Sequence, residues 1–490
     1  MTPAMRCTLC SGAAVGDRDE LDVWVEGVYA GRLHRRDTDV DFSYDPSYRA
    51  ARTPALSVSM PKSRSAHGGN IAGRWIDNLL PDNDEVRQRW AAHFGESRAD
   101  AFNLLRHMGA DCAGAVQVLP INTAPDTDAG SEPVDEHMIE KRLRELRRDP
   151  ADWNFADHGG RWSLGGAQGK FALARRPDGS WETPTVRAAS THIFKIGVTA
   201  FKHGDVVEYT TMRAAEILGI PAVRTTLRRF GNETAMISQR SDRYVDDNGH
   251  VHRLHQEDLC QALGMSRALK YESDGGPSVA SISNLMREAV DPRDLSTSRK
   301  SFAQALVYNW LTAGTDAHAK NYALLHFGSR IRLAPLYDLA GLALVFEPDQ
   351  VHYHAKLAMK MGGRYAIRDI AERHLARAAE SLGVDPDWMR DIADQYAERI
   401  PAAITQAIDE ADGLVTKMIA TKMKSRLQQR IRHVREVLPP PPPRGPVSAP
   451  RQPNPSYNPP GDSSSGDTWV PEHTRNGRPI KGYWRKRPGR

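Results

Sequence analysis

Cysteine is scarce: the chain carries four in 490 residues, Cys7, Cys10, Cys112 and Cys260. Thiols so few and scattered make no disulfide framework, which fits a reducing cytosol. Cys7-Thr-Leu-Cys10 is a lone C-x-x-C, and a zinc knuckle there would lack a second pair at zinc-finger spacing. Long apolar runs are missing as well. No stretch approaches the ~18 apolar residues of a spanning helix. Met1–Ala13 has no adequate apolar core for a secretory leader. A cytoplasmic chain with no membrane segment is the expectation. Charge of one sign is not in large excess: Lys and Arg number 66 against 61 Asp and Glu, a net +5. Composition therefore does not call for nucleic acid. The length allows two or three domains.

What is present is ordered punctuation. Leu21–Gly27 alternates apolar and polar residues before a turn, and Val28–Leu33 can return as its hairpin partner. Val40, Phe42 and Tyr44 alternate again, and Leu56–Met60 reads as another strand. Ile71–Leu80 and Asp84–Phe94 read as helices, with Leu80-Pro-Asp-Asn-Asp84 supplying the break and an N-cap. Phe102, Leu105 and Met108 share a helical face, and Asp111–Leu119 returns to the sheet. Residues 1–122 are expected as a β-rich subdomain. Thr123–Pro133 is a polar linker, and Glu136–Arg148 a charged helix whose charges read as a solvated face.

The region 123–243 reads as a smaller lobe built around Arg161–Leu173. Gly165, Gly166 and Gly169 permit close backbone approach, and amides in such a loop can cradle phosphates. An ordinary hairpin is the competing reading. Ser163 stands at the loop's edge, where a phosphate would put negative charge near those of a nucleotide. Lys195 interrupts the apolar strand Thr191–Ile196, as an edge-strand gatekeeper or as a phosphate-binding lysine. Val207–Leu218 is an amphipathic helix ending at Gly219. Its Glu208 is either a partner for Lys195 or an acid favoured by the helix dipole. Thr225–Phe230 and Thr234–Ser238 read as strands, and Gln239–Arg243 as a hinge.

Residues 244–438 turn helical from Gln256 onward. Phe302, Leu306 and Trp310 recur at helical spacing and lead into Thr315-Asp-Ala-His-Ala-Lys-Asn321. This D-x-x-x-x-N segment and the later Asp338 fit a phosphoryl-transfer centre. Asp316 would accept a hydroxyl proton, while Asn321 and Asp338 offer oxygens to Mg²⁺, a hard cation. A helix end with a polar turn is the plain alternative for D-x-x-x-x-N by itself; the order of glycine loop, lysine, loop and Asp338 favours the catalytic reading. His318, His352 and His354 lack an acid or cysteine to complete a metal site and read as structural. Ala366–Leu382, Asp385–Ala407 and Leu414–Leu438 read as helices, the second kinked or split at Pro401. Seven basic residues on the last helix, Lys417 to Arg435, make a solvated face or a nucleic-acid face. Residues 439–490 are rich in Pro, Ser, Gly and Arg, too poor in apolar residues to fold alone.

Several of these segments resemble one family. Ser163-Leu-Gly-Gly-Ala-Gln-Gly-Lys170, Leu269-Lys-Tyr-Glu-Ser-Asp-Gly-Gly-Pro277, Gly314-Thr-Asp-Ala-His-Ala-Lys-Asn321 and Pro335-Leu-Tyr-Asp338 resemble the HipA serine/threonine kinases, toxin halves of bacterial type II toxin–antitoxin pairs. Leu80-Pro-Asp-Asn83 and His255-Gln-Glu-Asp-Leu259 extend the likeness, which runs from about residue 20 to about 437. It implies an α+β, two-lobed, protein-kinase-like fold with an N-terminal β-rich subdomain and a mostly helical C-lobe. It implies Asp316 as catalytic base, Asn321 and Asp338 as Mg²⁺ ligands, and Lys195 as the ATP-phosphate lysine. Ser163, Gly165, Gly166, Ala167, Gln168, Gln239, Ser241, His318 and Lys320 complete the implied ATP site. Ser163 matches the family's autophosphorylated serine, whose modification throws the glycine loop outward. Glutamyl-tRNA synthetase is the family's known target. A small HipB-like helix-turn-helix antitoxin is its inhibitor and carries it to operator DNA. Gln239-Arg-Ser-Asp242 departs from the family's usual Glu-Arg-Phe-Asp, and Gln168-Gly-Lys170 from Gln-Glu-Lys. Two other readings stay open: a catalytically weak kinase-like binding protein acting as co-repressor, and a small-molecule phosphotransferase.

Overall fold

Leu21, Val23 and Val25 alternate along β1 (Glu20–Val25) and are all buried. In this computed structural model β1 pairs antiparallel with β2 (Val28–Arg36) and β5 (Val116–Pro120). Strands β3 (Asp39–Tyr44) and β4 (Ala66–His67) complete a sheet of order 4-3-2-1-5. Helices Asn70–Asp77, Asp84–Phe94 and Ala101–Met108 accompany it. Asn83 caps the middle one, its side chain accepting the amides of Glu85 and Val86. Leu56–Met60 is not the expected strand. It is a turn closed by a Ser57–Met60 bridge, because Ser57 donates to Glu257 and Ser59 to the Gln261 carbonyl. The structure describes residues 19–125, 132–153, 162–184, 189–197, 203–247 and 249–440, with four three-residue strands between 468 and 485. Cys7, Cys10, linker residues 126–131 and the basic end 486–490 lie outside the described residues.

A second antiparallel sheet, order 10-11-9-7-8-6, carries the glycine loop. It comprises β6 (Glu132–Val134), β7 (Lys170–Arg175), β8 (Trp181–Thr183), β9 (His192–Lys195), β10 (Thr225–Phe230) and β11 (Glu233–Gln239). The Glu136–Arg148 helix buries Ile139, Leu143 and Leu146. One hydrophobic core runs from Leu21 in the first sheet to Ile237 in the second. At their seam Trp90, Trp153 and Trp162 are fully buried with ring centroids 6.2–6.5 Å apart. Each buried indole is worth on the order of 5 kcal/mol before entropy. The glycine loop therefore springs from a floor shared with the N-terminal subdomain.

The second core belongs to the C-lobe. The Pro292–Thr312 helix buries Phe302, Leu306 and Trp310, as the spacing predicts. Gly204–Ile217 packs into this core against Pro386–Asp409. Residues 256–258 are not helical. They form β12 (His255–Asp258), which takes β13 (Ala323–Phe327) as partner, and β13 pairs with β14 (Arg330–Leu333). The helix starts only at Leu259, where Asp258 and Gln261 make a capping box. The helix expected from Ala366 starts at Glu372, because Lys356–Met361 and Arg364–Ala366 pair as strands. Pro401 does not split its helix, which runs from Pro386 to Asp409 with Ala397, Ile400 and Ile404 buried around it. On the last helix, Arg426 bonds Glu347, Arg435 bonds Asp394, and Arg430 is buried over Trp310. Those three are therefore structural rather than part of an open basic face. The whole is the α+β, two-lobed, kinase-like fold with an N-terminal β-rich subdomain. Pro440–Arg490 forms a separate unit. Its described strands pair as Thr468–Val470 with Tyr483–Arg485 and His473–Arg475 with Arg478–Ile480.

Candidate active site

The buried Pro292–Thr312 helix ends at Ala313, in left-handed conformation, and delivers the loop that follows to the cleft. Asp316 lies on the rim with its side chain 68% exposed. Its backbone carbonyl accepts the Asn321 carboxamide nitrogen at 2.7 Å. That bond commits the nitrogen and leaves the carboxamide oxygen as the atom available to a cation. Tyr337 donates to the Lys320 carbonyl at 2.8 Å and ties the loop to the next segment. There Asp338 takes φ +61°, a conformation Asp tolerates better than most residues.

Lys195 links the parts. Its ammonium donates to Glu208 at 2.5 Å and to Asp338 at 2.6 Å. Burial disfavours its charge, but the two carboxylates outweigh burial and raise its pKa. Burial lifts Glu208 above the ordinary carboxylate range, while Asp338, though buried, is held low by Lys195 and Lys170. Glu208 is thus the lysine's partner, not a dipole acid alone.

The glycine loop lies over this cluster. Gly166 has φ +93°, and a Cβ there would stand 2.7 Å from the Lys170 ammonium. Lys170 faces Lys195 across β7 and β9, donates to the Gly165 carbonyl at 2.5 Å and sits over the Trp153 ring. Burial, reinforced by Lys195, lowers its pKa to about 8. Ser163 is fully buried rather than at an accessible edge, and its hydroxyl donates to the Leu79 carbonyl at 2.7 Å. Ala167 is exposed, and Gln168 reaches Glu208 at 3.3 Å.

Gly165, Gly166, Lys195, Gln239, Ser241, His318, Lys320, Asn321 and Asp338 line one cleft; Ser163, Ala167, Gln168 and Asp316 do not. The Lys320 ammonium is held by protein groups: Asn78 at 2.9 and 3.0 Å, Asp258 at 3.4 Å and Asp82 at 3.5 Å. His318 is buried, and burial followed by Lys270 lowers its pKa. Ser241 donates to Gln256 at 3.2 Å, and Gln239 is exposed. Beside them Arg240 and Arg243 are buried with Asp242 and Asp111 and bond the Cys112 carbonyl. The hinge is thereby pinned to the N-terminal subdomain. Lys170, Asn78, Asp82 and Tyr271, whose hydroxyl donates to Asp316, were not anticipated as site residues. The signal lay in motifs already visible: Lys170 follows the glycine loop, and Leu80-Pro-Asp-Asn83 read as a helix break and as part of the family likeness, with no site role given to Asp82.

Asn321 and Asp338 supply one amide oxygen and one carboxylate to the same cleft, a hard-oxygen set that would suit Mg²⁺. Among the described residues there is no group of three or more His, Cys, Asp or Glu able to hold a metal by itself. No helix among them is long and apolar enough to cross a membrane.

Residues 162–404 match the HipA-like C-terminal domain, and residues 21–119 the HipA N-terminal domain. Y4mE of Sinorhizobium fredii is 31% identical over 401 residues, 80% of this chain and 93% of that protein. The serine/threonine-protein kinase toxin HipA of Shewanella oneidensis is 27% identical over 401 residues, 78% of this chain and 89% of that protein. The solved complex of Shewanella oneidensis HipA, HipB and operator DNA has a matching chain with TM-score 0.71 and 26% identity. The match spans 85% of this chain and 97% of that one. Matched at both domains and along nearly the whole length of these relatives, this chain belongs to the HipA family.

Proposed function

We propose that the chain is an ATP- and Mg²⁺-dependent serine/threonine-protein kinase that acts as the growth-inhibiting toxin of a toxin–antitoxin pair. The observation that carries this reading is the Lys195–Glu208–Asp338 cluster beside Asn321, with Asp316 exposed at the cleft rim. Lys195 steers nucleotide phosphates, and Glu208 fixes its position. Asn321 and Asp338 would hold Mg²⁺, which when bound neutralises phosphate charge. Asp316 accepts the proton of the acceptor hydroxyl. The acceptor oxygen forms a bond to the γ-phosphorus, the bond from that phosphorus to the β–γ bridging oxygen breaks, and its electron pair leaves with ADP.

Glycine-loop residues Gly165 and Gly166 lie over the phosphates, and Ser163 is the autophosphorylation site. In the conformation observed its hydroxyl is buried against Leu79, so self-phosphorylation follows release of that contact. The partner is a small HipB-like helix-turn-helix antitoxin, through which the chain reaches operator DNA; the solved complex of the Shewanella relative supports this. An aminoacyl-tRNA synthetase, glutamyl-tRNA synthetase above all, is the proposed protein substrate, in the cytoplasm. Incubation of the purified synthetase and chain with Mg²⁺-ATP tests this. Phosphate on a synthetase serine or threonine, absent with Asp316→Ala, supports it. Transfer to a small-molecule acceptor instead, or none at all, favours the phosphotransferase or co-repressor reading.

A further inference from the structure

Asp316 has a well-held backbone and a loosely held side chain. Its carbonyl accepts both the Asn321 carboxamide and the His318 amide, the latter at 2.8 Å. Its carboxylate projects to solvent, where an aspartate explores several rotamers. A proton acceptor must face the incoming hydroxyl, so something has to choose its orientation. The Tyr271 hydroxyl donates to Asp316 Oδ1.

Tyr271 is firmly mounted. Its ring meets His318 edge-on, centroids 5.0 Å apart. The Lys270 carbonyl accepts the Ala319 amide at 3.1 Å, joining this loop to the Asp316 loop. The Tyr271 carbonyl accepts the Gly276 amide at 2.9 Å, and a Cβ on Gly276 would stand 2.2 Å from the Leu269 carbonyl oxygen. The turn is therefore tight enough to require glycine. Next in sequence, Glu272 accepts the Lys360 amide at 2.6 Å.

Resting on the reading of Asp316 as base, we propose that Tyr271 is a positioning residue. Its phenol anchors one carboxylate oxygen of Asp316 and so turns the other toward the acceptor hydroxyl. Burial, and then the Asp316 carboxylate, push the phenol pKa well up, so Tyr271 stays a protonated donor and does not compete for the acceptor's proton. The residue is half-buried, and Tyr271→Phe removes one oxygen without opening a core cavity.

The test measures phosphate transfer from labelled Mg²⁺-ATP by the full chain, for wild type, Tyr271→Phe and Asp316→Ala. The maximal rate of Tyr271→Phe should fall about tenfold to a hundredfold. ATP half-saturation and calorimetric ATP affinity should stay within about twofold, with an unchanged melting temperature. Three results overturn the proposal: a rate within about twofold of wild type, a faster rate (the phenol then blocks the site), or a loss of ATP affinity matching the loss of rate. Asp316→Ala separates the two layers. If it is inactive while Tyr271→Phe is unaffected, only the positioning role fails; if it stays active, the reading of Asp316 as base fails with it.

Discussion

The Ser163 hydroxyl donates to the Leu79 carbonyl at 2.7 Å and is sealed from solvent, so the N-terminal subdomain holds the glycine loop shut. The Asp82 amide adds a bond to the Gly166 carbonyl at 2.9 Å. Anything that puts charge on Ser163 must break this clasp, because an unpaired carboxylate or phosphate cannot remain in that site.

Ser163→Asp should therefore open the loop and weaken ATP binding by about tenfold or more, read by calorimetry. Ser163→Ala should bind ATP as wild type does and lose only about 1 kcal/mol of stability, one buried hydrogen bond. Equal ATP affinity for Ser163→Asp and wild type contradicts the clasp.

Lys195→Met removes the one ammonium between Glu208 and Asp338. Two neighbouring carboxylates then share a largely buried site, at a cost of about 3 kcal/mol. Their pKa values rise above those of the unfolded chain. As pH climbs, the folded protein must either hold a proton that the unfolded chain releases or carry two repelling charges; in acid both states are protonated and the deficit fades. The variant should be least destabilised near pH 4 and most near pH 8. Melting temperatures across that range check this, and a pH-independent deficit counts against it.

Asp82 has the opposite arithmetic. Burial opposes its charge, but Lys320 and then Lys270 hold its pKa at about 2, below the unfolded value. Its contribution, on the order of 2 kcal/mol, is present above about pH 4 and is lost as pH falls through about 2. Asp82→Asn should lower stability at pH 7 and flatten the acid limb between those values. Urea midpoints at pH 7 and pH 3 measure the difference; equal deficits at both contradict it.

The sequence showed most of this architecture where periodicity was strong. Leu21, Val23 and Val25 alternate because one sheet face is buried, and Phe302, Leu306 and Trp310 recur because one helix is buried. The Lys195–Glu208 pair was visible only as one of two choices, since an acid in a first helical turn also suits the dipole. The strands Glu132–Val134 and Trp181–Thr183 are too short to show a period. Pro401 sits in an unbroken helix because tertiary packing outweighed one missing hydrogen bond. The contacts of Lys320 with Asn78 and Asp82 span more than 230 positions and leave no local pattern to read. Burial of Ser163 was likewise hidden, because the Leu79 carbonyl that receives it belongs to another subdomain.

The central claim is phosphoryl transfer through Asp316. Its most direct measurement is incubation of purified chain, confirmed free of phosphate, with Mg²⁺-ATP, followed by mapping of phosphate by mass spectrometry beside Asp316→Ala. The account predicts phosphate on Ser163 in the wild type and a rate lower by about 10²-fold or more in the folded Asp316→Ala protein. Equal incorporation in both, or none in the wild type, contradicts it.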